Sequence, residues 1–290
     1  MAAGGGAPPT EAVRGARGVS AVITVIVAIV TFAAGLGAGW LVFGQAPPAK
    51  QVLLLGTNTP FPPFESNVGG TIIGFDADLI QAMVTRAGYA YEWRDYRDFT
   101  ALLAATAAQG VDIAIGAITM NGDTGTARNA TLHFTNPYFL SNQGVLKRTS
   151  DSTIYCAAAN CLNSELNKTG LKIGVQELTT SFYWVDSNAK NPTVTVKPSV
   201  ADLLLALDQS NIDIIVIDKP AADGLSAANP TKYAVAGTIP TNELYGFAVP
   251  RTAADDSKHA FYENLVTILN AKLAEIKSDG TYAKLIDKWF

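Results

Sequence analysis

The residues able to do chemistry are few, and they are charged rather than nucleophilic. Asn211–Pro220 reads N-I-D-I-I-V-I-D-K-P. Ile212–Ile217 is a short, apolar, β-branched run with the pattern of a buried strand. It stops at Asp218 and is closed by Pro220, which cannot continue a ladder. Ligands of open α/β sheets bind outside the carboxyl ends of the strands, so Asp218 is the first site candidate. Arg128 supplies a cation, and Glu65 and Glu177 supply further carboxylates. The two histidines, His133 and His259, form no Ser/His or Cys/His set, and with two cysteines they leave little for a metal site. Cys156 and Cys161 are spaced too widely for a zinc knuckle or redox pair. The chemistry on offer is the binding of charged groups.

The element that positions Asp218 occurs twice. A shift of 101 positions lays Leu203, Leu204, Ala206, Ile212, Asp213 and Ile214 on Leu102, Leu103, Ala105, Val111, Asp112 and Ile113. Each copy reads as an apolar helix, a turn at Gly110 or Asn211, and a buried strand. One ends in Gly116-Ala117-Ile118-Thr119, the other in Asp218. Two copies at so long a period predict two similar lobes rather than a solenoid. The 290 residues are 48% hydrophobic with a formal net charge of -4, enough for a full core. Without a Lys/Arg stripe, a nucleic-acid partner is not expected.

Along the chain, 1–18 is a Gly/Ala/Pro-rich segment carrying Arg14 and Arg17. Residues 19–45 are uncharged, and Ala21–Phe43 is long and apolar enough to span a bilayer. The positive-inside rule puts 1–18 in the cytoplasm and the remainder outside. The stretch reads as a retained transmembrane anchor, with a cleaved signal sequence as the competing reading. Residues 46–50 form a short linker. Outside the cytoplasm, Cys156 and Cys161 read as a local disulfide rather than a reactive pair. Gln51–Gly56 is a strand leading into the rigid Thr59–Glu65 loop. Asp76 is expected to cap a helix reaching about Ala87, and Asp98 to cap the next. Gly122–Gly125 is expected to be a flexible loop. Leu171–Val175 reads as a strand before Thr179-Thr180-Ser181 at a helix start, Tyr245–Val249 as a strand, and Asp255–Phe290 as largely helical with a break at Asp279–Tyr282.

Pro63-Phe64-Glu65, Gly74-Phe75-Asp76, Gly110-Val111-Asp112, and Arg128 ahead of Phe134 and Pro137-Tyr138 together resemble the polar amino-acid-binding family of ABC-transporter solute-binding proteins. Lys277–Tyr282 and Lys288-Trp289-Phe290 extend the likeness, which covers about residues 50–290. The resemblance implies an α/β periplasmic-binding-protein type II fold with a two-segment hinge. Lobe 1 would be 50–140 and 245–290, and lobe 2 would be 141–244. It implies an extracytoplasmic protein that captures a free amino acid, one with a polar or charged side chain above others, between closing lobes and delivers it to ABC permease subunits, without a cofactor and without turnover. The membrane would be its partner through the N-terminal helix.

A free α-amino acid is a zwitterion, and burying either charge unpaired costs several kcal/mol. By this resemblance Arg128 would take the carboxylate in a bidentate pair and Asp218 the ammonium. Gly116 and Thr119 would assist, Thr179 and Thr180 would bind the carboxylate at a helix N-terminus, and Phe61 and Phe99 would line the side-chain pocket. Two departures stand out: about four extra residues within 121–127, and Glu177-Leu178 where the family usually has Gln-Gly. A dehydratase-type enzyme of the prephenate or arogenate kind, working with Glu65 and Glu177, and a sensory ligand-binding domain are the alternatives.

Overall fold

The structure, a computed structural model, describes residues 50–290. Segment 1–18, the apolar stretch 19–45 and all but the last linker residue lie outside the described residues. Among the described residues no helix is long and apolar enough to cross a membrane.

In chain order the strands are β1 (Val52–Thr57), β2 (Ser66–Val68), β3 (Thr71–Ile73), β4 (Ala90–Asp95), β5 (Ile113–Ala114), β6 (Leu132–Phe134), β7 (Phe139–Arg148), β8 (Lys172–Gln176), β9 (Thr193–Lys197), β10 (Ile214–Asp218), β11 (Tyr233–Tyr245) and β12 (Ala248–Pro250). The helices are α1 (Phe75–Arg86), α2 (Phe99–Ala107), α3 (Gly122–Arg128), α4 (Asn163–Leu166), α5 (Thr180–Asn188), α6 (Val200–Asp208), α7 (Lys219–Ala228), α8 (His259–Ser278) and α9 (Thr281–Trp289). They build two mixed sheets, ordered β4-β1-β5-β12-β6 and β11-β7-β10-β8-β9, with β2-β3 as a small ribbon. In the first sheet β1 runs parallel to β4 and β5; in the second β8 runs parallel to β9 and β10. Each sheet packs on its own apolar core, one closed by α1 and α8, the other by α6, α7 and the face under α5. The result is a two-lobed α/β fold.

The repeat read from the sequence is a repeat in space. Gln109 and Ser210 both take left-handed turns, with φ 60 and 59°. Asp112 accepts a hydrogen bond on its side chain from the Leu54 amide at 2.8 Å. Asp213 does the same for the Lys172 amide at 2.9 Å. Asp112 locks β5 to its parallel neighbour β1, and Asp213 locks β10 to its parallel neighbour β8; β10 starts at Ile214, two residues later than its apolar run suggests. A glycine sits at matching places in β1 and β8. A Cβ on Gly56 would lie 2.7 Å from Leu102 Cδ1, and one on Gly174 would lie 2.9 Å from Leu203 Cδ2 and 2.4 Å from Ile212 Cδ1. The helix of each unit thus rests directly on the strand backbone.

The sheets are joined by two crossings, from β6 to β7 and from β11 to β12, lying side by side. The Thr135 amide donates to Phe247 O at 2.9 Å and the Tyr138 amide to Tyr245 O at 2.9 Å. The Tyr138 and Phe247 rings stack with centroids 4.4 Å apart. The strand expected over Tyr245–Val249 is therefore interrupted: Tyr245 ends one sheet, and β12 resumes in the other at Ala248.

Three local expectations are corrected. Gly122–Gly125 is the first turn of α3, not a flexible loop; Gly125 is needed because a Cβ there would run into the Met120 backbone at 2.1 Å. Asp76 does not cap α1. Gly74 holds that place with φ 139°, and Asp76 is buried in the second helical position. Asp98 occupies the cap position of α2, but its side chain makes no capping bond. The break before α9 is Gly280, in the left-handed conformation. The Cys156–Cys161 disulfide is formed. It packs on Gly237 of β11, where a Cβ would sit 2.5 Å from the Cys161 sulfur.

The matched glycines yield a test. Gly56→Ala and Gly174→Ala are each expected to cost about 1–2 kcal/mol by overpacking, in equal measure within error, read as a shift in the urea midpoint. A loss confined to one of them would show that the two lobes are not packed alike.

Candidate ligand-binding cleft

All eight residues expected at the site line one cavity: Phe61, Phe99, Gly116, Thr119, Arg128, Thr179, Thr180 and Asp218. Asn58, Glu65, Gln176 and Ser181 share its wall. Glu177, the second acid of the enzymatic alternative, is exposed and lies outside that wall.

Arg128 closes α3 and is buried. Its Nη1 donates to Thr119 O at 2.9 Å and its Nη2 to Leu178 O, in the second lobe, at 3.0 Å. Its Cζ lies 5.4 Å from the centroid of the Phe99 ring. Burial lowers its pKa to about 10, opposed by Asp218 and Glu243, so the guanidinium stays charged at neutral pH. The extra residues before it fold as α3 itself, whose last turn delivers the arginine to the cavity.

Asp218 ends β10, where all five residues are buried. Gln143 Nε2 donates to its Oδ1, and the Tyr245 hydroxyl donates to its Oδ2. Burial, then the neighbouring charge of Glu243, push its carboxyl up from 3.8 to about 7. Thr179 is the N-cap of α5: its hydroxyl donates to Gln176 O at 2.7 Å and accepts from the Phe182 amide at 3.3 Å. Thr180 is the first helical residue, so its backbone amide belongs to the group that a helix leaves without internal partners. Leu178 holds φ 56°, the conformation for which glycine is the default. This is the price of Leu in place of Gly, and it turns the Leu178 carbonyl toward Arg128.

Sequence reasoning missed Glu243 and Gln143. Glu243 is buried and accepts hydrogen bonds at 2.8 Å from Thr119 Oγ1, Thr180 Oγ1, Thr241 Oγ1 and Gln143 Nε2. It lies where the register of β11 against β7 shifts, between Ile239 and Glu243. Gln143, opposite Asp218 across the ladder, links Asp218, Glu243, Thr180 and Ser181. A further buried acid, Asp76, stands behind the cavity. It accepts from the Tyr138 hydroxyl and the Ala117 amide, and burial raises it to about 7.

The two lobes also meet directly. Gln176 Nε2 donates to Asn58 Oδ1 at 3.0 Å, and Phe61 packs against both the first core and the core under β10. The arrangement presents one cation, carboxylates and a helix N-terminus to a single enclosed space, which suits a small ligand carrying both signs of charge.

The family model described as bacterial extracellular solute-binding proteins, family 3, matches residues 53–290. The chain belongs to that family. It is similar to the arginine-binding extracellular protein ArtP of Bacillus subtilis, 26% identical over 249 residues that cover 83% of this chain and 87% of that one. It is similar also to a probable histidine-binding protein of Campylobacter jejuni, 27% identical over 237 residues, covering 82% and 84%. Among solved structures, an ancestral arginine-binding protein bound to glutamine superposes with a TM-score of 0.71 at 27% identity, covering 83% of this chain and 99% of the other. The polar residues that line the cavity come from both lobes rather than from one.

The buried acids of this solute-binding protein make its stability pH-dependent. Asp76 and Asp218, both held near 7, are harder to ionise folded than unfolded. Their contribution is complete below about pH 4 and is lost as the pH rises through about 7. Asp151 and Asp279, held at about 2, act only in stronger acid. The ligand-free protein is therefore expected to melt higher at pH 5 than at pH 8. Asp218→Asn should raise stability at pH 8 by about 1–2 kcal/mol. A lower melting temperature for Asp218→Asn at pH 8 would contradict this.

Proposed function

We propose that this chain captures a free α-amino acid between its two lobes, outside the cytoplasm, and delivers it to the permease subunits of an ABC transporter. The observation that carries the reading is one buried guanidinium and one buried carboxylate, Arg128 and Asp218, contributed by different lobes to the same cavity. Arg128 holds the ligand carboxylate in a bidentate pair. The Thr180 amide adds a donor, with Thr179 fixing the helix start, and the Thr119 hydroxyl joins it by leaving Glu243. Asp218 holds the ammonium, helped by the Gly116 carbonyl, and Phe61 and Phe99 flank the ligand side chain. The ligands named for the relatives, arginine and histidine, with glutamine in the ancestral structure, share only the α-amino acid group.

Function follows from closure. A ligand touching both lobes favours the arrangement in which it touches both. We take the paired crossings near 135–138 and 245–247 as the hinge, 50–140 with 245–290 as lobe 1, and 141–244 as lobe 2. The uncharged stretch 19–45 is the element that carries the chain through the membrane and tethers it, leaving 1–18 in the cytoplasm. The reaction is binding and release, without turnover or cofactor.

Calorimetric titration of the full-length protein with the twenty amino acids, one at a time, tests this. A subset should bind at micromolar dissociation constants or tighter. Arg128→Ala should weaken that binding at least about a hundredfold, because it leaves a buried carboxylate unpaired at a cost of roughly 3–5 kcal/mol. A loss under about tenfold would remove Arg128 from the role given it.

A further inference from the structure

Asn121 stands immediately before α3 and does not cap it. An asparagine in that place ordinarily turns its side chain back onto the first helical amides, and here no such bond is made. The helix starts on backbone alone, with the Gly125 amide donating to Asn121 O at 3.0 Å. The Asn121 side chain reaches away from α3, to β11. Its Oδ1 accepts from the Leu244 amide at 2.8 Å, and its Nδ2 donates to Asn242 O at 3.0 Å. Both of its polar groups are committed to the backbone on either side of Glu243.

That backbone is the irregular part of β11, where its register against β7 shifts. Asn242 there holds φ 53°. Backbone that leaves its ladder must find other partners, and a second asparagine supplies them from the other lobe. Asn142 Oδ1, on β7, accepts from the Thr241 amide at 2.9 Å and the Asn242 amide at 3.0 Å. One bulge is thus pinned from both lobes, and the residue it presents is Glu243.

The segment that carries Asn121 also carries groups proposed for the ligand's carboxylate. Thr119 bridges to Tyr245, gives its carbonyl to Arg128 and its hydroxyl to Glu243. The Met120 amide donates to Leu244 O at 2.9 Å. Arg128 stands at the far end of α3, roughly 10 Å along. A helix of two turns has little stability of its own, so its direction is set by what holds its start. Gly125 presses on the Met120 backbone there, and Asn121 ties the segment to β11.

We propose that Asn121 is a positioning residue for the ligand's carboxylate, fixing the Arg128 guanidinium relative to Thr119 and Glu243 from outside the cavity wall. This rests on the reading of Arg128 as the carboxylate's partner. A binding group is only as good as the contacts that hold it in place. Loosening α3 at its start therefore weakens the grip on the carboxylate and leaves the contacts to the ammonium and side chain alone.

The test is calorimetric titration of the full-length protein with the twenty amino acids, and with the methyl ester of whichever binds most tightly. The native protein should prefer the free acid at least about a hundredfold. Asn121→Ala should narrow that preference by at least about tenfold, through the acid's affinity and not the ester's. Asn121→Ser separates positioning from folding. Serine caps a helix well, but its hydroxyl is one bond too short for Leu244 and Asn242. That variant should melt near the native temperature and still lose preference as Asn121→Ala does. Added to Arg128→Ala, Asn121→Ala should cost the free acid nothing more, because the group being positioned is gone. A smaller narrowing in both Asn121 variants, acid and ester weakening together, or a further loss beyond Arg128→Ala would each overturn the inference. Silence from every amino acid, or a native protein that binds acid and ester alike, would instead overturn the reading of Arg128 underneath.

Discussion

The structure depends on how two carboxylates and one guanidinium are kept out of water around a single small space. Desolvation makes each of them expensive alone, and each is compensated differently. Arg128 donates to carbonyls in both lobes. Glu243 collects hydroxyl and amide donors. Asp218 takes two hydrogen bonds yet is still pushed toward its neutral form. The compensation is incomplete by design of the sequence, since a fully satisfied cleft would have no reason to exchange its internal bonds for those of a ligand. Arg128 can trade carbonyl partners for a carboxylate, and Asp218 can trade a proton for a cation.

The scaffold follows from that requirement. Two copies of one helix–turn–strand unit, each locked by an aspartate on a neighbouring amide and by a glycine under a leucine, present their strand ends to a common space. The crossings between sheets are held by their own hydrogen bonds and by the stacked Tyr138 and Phe247 rings. These two short segments are where the chain passes from one sheet to the other. Direct contacts across the cleft include the polar pairs Arg128 to Leu178, Thr119 to Glu243 and Gln176 to Asn58, together with Phe61, which packs on both cores.

Much of this was legible in sequence because its signals are local. A β-branched run ending in Asp218 before Pro220, two hydroxyl residues before a helix, and a helix–turn–strand pattern repeated at a fixed shift all declare themselves within about ten residues. What was not legible depends on long-range pairing. Glu243 reaches the site only because β11 slips in register against β7, and Gln143 only because β7 lies opposite the end of β10. Glycines misled where they serve close packing instead of freedom: Gly122 and Gly125 looked like a loop but let a helix start against the Met120 backbone. Asp76 looked like a cap, yet the positive φ of Gly74 turns the chain so that the aspartate is buried beside Tyr138.

The central claim is that one ligand's two α-groups are gripped from opposite lobes. The most direct measurement is the affinity of the full-length protein for its best amino acid beside that for the methyl ester, which keeps the ammonium and side chain but removes the carboxylate charge. The account expects the ester to bind at least about a hundredfold more weakly, and Arg128→Ala to shrink that gap to under about tenfold. An ester that binds as well as the free acid would show that the guanidinium faces something other than an amino acid's carboxylate, and the account would fail.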